Sequence, residues 1–86
     1  MITVKYKPRF LRECKKFDNE LLRDVYRSID LFAKDPHDSL LRTHRLKGPL
    51  KGFSSFSVNY RYRIVFEWEN ARAAVLHLIG DHDVYR

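Results

Sequence analysis

The chain has 86 residues, 44% hydrophobic and 33% charged, a balance that excludes a disordered chain and leaves room for one core, so a single domain over residues 1–86 is expected. No run of 18 apolar residues occurs, and Met1-Ile2-Thr3-Val4-Lys5 lacks the apolar stretch of a signal peptide, which points to a cytoplasmic protein without a membrane span. The formal charge is +6, and the lone cysteine, Cys14, excludes an intrachain disulfide and a multi-cysteine zinc site.

Taken in chain order, Ile2, Val4 and Tyr6 alternate with polar residues and predict a short strand. Pro8 suits the first turn of a helix, and Phe10, Leu11, Cys14 and Phe17 then form one apolar stripe. Asp18 is placed to N-cap a second helix, in which Leu21, Leu22, Val25, Tyr26, Ile29, Phe32 and Ala33 fall on one side. Lys34-Asp35-Pro36 ends it, because the residue before proline is pushed out of the helical region. From Leu46 the period becomes strand-like, punctuated by Gly48, Pro49, Gly52 and Gly80. Strands are predicted near residues 44–47, 53–59, 61–68 and 72–79. In the third of these, Tyr62, Ile64, Phe66 and Trp68 share the face that packs on the helices, which leaves Arg61 and Arg63 on the other. The expected architecture is α+β: an N-terminal strand, a helical hairpin, then an antiparallel sheet packed on the helices.

The charge is local. Between Ser39 and Phe66 there is no acidic residue, yet Arg42, Arg45, Lys47, Lys51, Arg61 and Arg63 all lie there; setting those six aside from 17 Lys and Arg leaves 11 against 11 Asp and Glu. A concentrated basic surface attracts phosphate backbones and acidic proteins, and Arg42, Arg45, Lys47, Lys51 and Arg61 are taken as the candidate RNA-binding residues. Histidines at 44 and 82 suit proton transfer because the unperturbed imidazole pKa lies near neutrality, while arginine suits a charged phosphate because its guanidinium donates two parallel hydrogen bonds. Metal-free RNA cleavage needs those functions: a base for the 2′-hydroxyl, a cation at the phosphate and an acid for the leaving oxygen. His77, among Leu76, Leu78 and Ile79, reads as structural, His37 as a loop residue and Cys14 as a buried apolar residue. Asp81, His82 and Asp83 are adjacent, and adjacent residues rarely converge on one ion, so no metal or cofactor is expected.

The order of a strand, a helical hairpin, His44-x-Leu46-Lys47-Gly48, Lys51-Gly52-Phe53, Tyr62-Arg63-Ile64-Val65-Phe66 and the ending Ile79-Gly80-Asp81-His82-Asp83-Val84-Tyr85 resembles the RelE/ParE superfamily of type II toxin–antitoxin systems over nearly the whole chain. The resemblance implies one RelE-like domain acting as a ribosome-dependent endoribonuclease on mRNA in the A site, neutralised by an acidic antitoxin. It also implies roles: Arg63 at the scissile phosphate, His82 as general acid or charge stabiliser, His44 as the histidine ahead of the Leu-x-Gly turn, and Tyr85 as the C-terminal aromatic that orients a base or the nucleophile. The sequence departs from YafQ-like members, which carry a second histidine where Ser57 aligns and an aspartate near Arg61, and from YoeB-like members, which use a glutamate as base. The general base is therefore left open. Two alternatives come with the same residues: a non-catalytic ParE-like inhibitor of DNA gyrase, for which Arg63 and two histidines have no use, and a passive RNA-binding module.

Overall fold

A computed structural model describes residues 1–81 of the chain. The elements run β1 (Thr3–Tyr6), α1 (Pro8–Cys14), α2 (Asn19–Lys34), β2 (His44–Arg45), β3 (Ser54–Ser57), β4 (Tyr62–Asn70) and β5 (Ala73–Asp81), with short 3₁₀ turns at Ser39–Leu41 and Gly48–Leu50. Local chemistry explains most boundaries. Pro8 opens α1, where its missing N–H would have had no helical partner. Asp18 caps α2 by accepting from the backbone N–H of Leu21 at 2.8 Å, and the helix closes where Asp35 donates to the Leu31 carbonyl just before Pro36.

The sheet order is β1-β5-β4-β3-β2. Its β2-to-β5 portion is antiparallel as expected, but β1 runs parallel to β5, with Tyr6 opposite Leu76 at the last pairing. The sheet is therefore mixed, because the helical hairpin carries the chain across one face before it returns to the opposite edge. Beyond β1's last pairing, Glu13 of α1 takes over the edge of β5 by accepting from the Ile79 N–H at 3.0 Å.

The helices cover one face. Phe10, Val25, Ile29, Phe32, Leu41, Phe56, Ile64, Phe66, Ala74, Leu76 and Ile79 make the core. Phe32 is central: its ring stacks on Phe56 at 4.3 Å and meets the Phe66 ring edge-on at 4.8 Å. Such pairs add about 0.5–1.5 kcal/mol each beyond burial.

Three details differ from the periodicity. Tyr26 is 61% exposed although it belongs to the apolar stripe of α2; it lines an open depression with Tyr6, Leu11 and Cys14 rather than packing on the sheet. Phe17 falls in the turn after α1 rather than on the helix, and packs its ring 5.7 Å from that of Tyr62. Strand β2 is two residues long where four were expected, since Leu46-Lys47 leads straight into the second 3₁₀ turn at Gly48, whose φ of +65° suits glycine.

Candidate nucleic-acid interface

The short β2 shapes the site. It pairs only with Ser54 and Ser55, so the end of β3 at Ser57 has no outer strand beside it. The chain before β2 fills that flank with Arg42, which closes the first 3₁₀ turn in the left-handed conformation at φ +50°. A branched or bulky residue seldom holds that backbone, and strain of this kind collects at binding sites.

His44 stands two residues on. Pairing puts His44 opposite Ser55, Ser55 opposite Val65, and Ser57 opposite Arg63. Because Ile64 lies in the core beneath the helices, strand alternation sets His44 and Arg63 on the opposite, open face. Two strand spacings across and two residues along separate their backbones by about 12 Å. Both side chains can therefore reach one phosphate between them. The face has its own buried floor in Leu46, Ser55 and Val65, and the Ser55 hydroxyl there has no hydrogen-bond partner among the described residues.

The imidazole of His44 is oriented. Its Nδ1 lies 2.8 Å from the Arg42 carbonyl oxygen. A carbonyl only accepts, so Nδ1 carries the proton and donates, which in the neutral ring leaves the lone pair on Nε2. An exposed imidazole held this way can take a proton at Nε2.

Arg42 and Arg63 line one cleft of about 290 Å³ together with Leu40, Ser57 and Tyr60. Arg45, Lys47 and Lys51 line another depression, of about 710 Å³, which also holds Phe53, Glu67 and Trp68. The basic residues that are neighbours in sequence thus form two clusters, because alternation along β2 sends Arg45 to the side opposite His44. Arg61 belongs to neither. It sits in the β3–β4 turn rather than on a strand, and its Nε donates to Asp81 Oδ2 at 3.1 Å while its guanidinium lies 5.4 Å from the Tyr62 ring centroid. Its pKa is pushed above the ordinary value, first by that hydrogen bond and then by the charges of Tyr62 and Asp81. His82 and Tyr85 lie outside the described residues.

Periodicity did not single out Tyr60. It is 96% exposed and stands at the tip of the β3–β4 turn, on the rim of the Arg42–Arg63 cleft. The strand predicted over 53–59 stops at Ser57, and Asn59, which that prediction took in, was the available turn signal for it. His77 lies 3.3 Å from Glu67 and edge-on to Phe53 at 5.1 Å, contacts of a structural kind. Cys14 is half-buried, and burial, then the charge of Glu13, pushes its thiol pKa up, away from a reactive thiolate. Among the described residues no group of His, Cys, Asp and Glu is arranged to hold a metal ion, and no helix is long and apolar enough to cross a membrane.

No family model and no curated protein matches the sequence. Solved structures do match. YafQ from E. coli superposes with a TM-score of 0.77 over 98% of this chain and 97% of its own, at 12% identity. A YoeB/ParE toxin from Agrobacterium tumefaciens gives 0.74 over 94% and 99%, at 14% identity. A chain of the YoeB-YefM complex from Staphylococcus aureus gives 0.73 over 95% and 98%, at 15% identity. The chain shares the fold of these proteins, which is the RelE/ParE-type fold to which its motifs pointed.

Proposed function

We propose that the chain, a single domain over residues 1–86, is the toxin of a toxin–antitoxin pair and an endoribonuclease that cuts mRNA in the ribosomal A site without a metal. The observation that carries the reading is the oriented His44, whose Nε2 is left as a proton acceptor on the face that also bears Arg63. In this mechanism His44 Nε2 removes the 2′-hydroxyl proton, and the 2′-oxygen attacks the adjacent phosphorus. Arg63 donates to the phosphoryl oxygens as charge builds on them, with the larger part of its effect in the transition state. The 5′-oxygen leaves with a proton from a general acid, the role assigned to His82, so the products are a 2′,3′-cyclic phosphate and a 5′-hydroxyl. Tyr85 is assigned to orienting the base or the nucleophile. Arg42, Arg45, Lys47, Lys51 and Arg61 are the cations proposed to hold RNA or ribosome. Arg61 has the smallest share, being already committed to Asp81.

The likeness to a YoeB solved with YefM supports a protein partner, and the surplus of basic over acidic residues favours an acidic antitoxin. The test is cleavage of message on programmed ribosomes by the wild type and Arg63→Ala. The expected result is a cut message ending in a cyclic phosphate, with Arg63→Ala lowering the rate far more than the affinity. Native-rate cleavage by Arg63→Ala, or abolition of cutting by EDTA, would overturn the mechanism. Expression that triggers an SOS response while messages stay intact would overturn the nuclease reading in favour of gyrase.

A further inference from the structure

Among the described residues, the cleft beside β3 contains two groups that cleavage itself does not require. Tyr60 is 96% exposed, yet its turn is firmly held. The Asn59 side chain accepts from the N–H groups of Arg61 at 2.9 Å and Tyr62 at 2.8 Å, and its amide donates to Asp24 of α2 at 3.2 Å. A turn tied in this way presents an aromatic ring to solvent with its backbone already ordered. Arg42, which lines the same cleft, keeps a left-handed backbone that glycine would hold without strain. The cleft, at about 290 Å³, lies at the lower end of the range for small-ligand pockets. Arg63 is part of its wall.

We propose that this cleft is a subsite for one unpaired nucleotide flanking the scissile phosphate, with Arg42 on that nucleotide's phosphate and Tyr60 stacked on its base. The inference rests on the RNA-cleaving reading above, and it adds a contact that no catalytic step uses. Stacking on an aromatic ring tolerates any base and contributes without a charge, whereas an arginine on phosphate contributes through counterion release. The two residues therefore leave different signatures. The stacking contact also favours a single strand over a duplex, since a paired and stacked base has no free face to offer Tyr60.

The probe is a labelled, uncleavable 2′-O-methyl RNA decamer, titrated both free and as the message on a programmed ribosome across a range of salt concentrations. Tyr60→Ala should weaken binding about 5- to 150-fold with an unchanged salt slope, and Tyr60→Phe should bind as wild type. Arg42→Gly should weaken binding, flatten the salt slope by about 0.7, and raise the thermal midpoint by relieving the backbone. If the wild type binds and either Tyr60→Ala or Arg42→Gly binds equally well, the subsite is wrong and the nuclease reading stands. If the wild type binds neither form of the decamer, both fall.

Discussion

The Nδ1 of His44 donates to the carbonyl of Arg42, two residues back, at 2.8 Å, so the same short bend that strains Arg42 also sets the tautomer of the histidine. Asparagine can imitate the Nδ1 donor but has nothing at the position of Nε2. His44→Asn should therefore keep the bend and the fold while losing cleavage by about 10²–10⁴-fold. Circular dichroism and single-turnover rates across the neutral pH range measure both. A variant that cuts at the native rate would remove His44 from the mechanism.

The two basic clusters separate binding from chemistry. Neutralising Arg45, Lys47 and Lys51 together should lower the salt slope of RNA binding by up to about 2, since each phosphate contact on a single strand contributes about 0.7. The rate at saturating RNA should stay near the wild-type value, because Arg63 lies in the other cleft. An unchanged slope would mean that the larger depression does not touch RNA.

Core and open face should respond oppositely to truncation. Phe32→Ala removes a ring packed against Phe56 and Phe66 and should cost about 3–5 kcal/mol in urea unfolding. Ser55→Ala removes a buried hydroxyl that has no partner among the described residues, a group whose burial costs about 1–3 kcal/mol, so stability should hold or rise. A clear loss on Ser55→Ala would show that the hydroxyl is bonded in solution.

The raised thiol pKa of Cys14 gives stability a definite direction with pH. A group that binds its proton more tightly when folded stabilises fully below its unfolded pKa, about 8.5 for a thiol, and loses that contribution as pH rises through the folded value. Tyr6 is raised for a like reason, chiefly burial, then the charges of Asp30 and Cys14, and should act at higher pH. The thermal midpoint should therefore fall as pH rises past the ordinary thiol range, and Cys14→Ala should remove the earlier part of the fall. Alkylation of Cys14 should lag that of a free thiol in mildly alkaline buffer; equal rates would contradict the burial.

Much of what depends on neighbours along the chain was legible in the order of residues. The Asp18 cap, the stop at Pro36, the core face of Phe66 and Ile64 and the outward course of Arg63 all follow from hydrogen-bonding needs and side-chain periods that local sequence carries. Contacts between distant segments were not legible in that way. The parallel seat of β1 against β5, the reach of Glu13 to the Ile79 N–H and the pairing of Arg61 with Asp81 join residues separated by 20 to 70 positions, and no period records which of several edges or charges will meet. The division of one acid-free stretch into two cation clusters was likewise decided in three dimensions. Alternation turns Arg45 away from His44, and a β2 only two residues long leaves the flank of β3 open for Arg42.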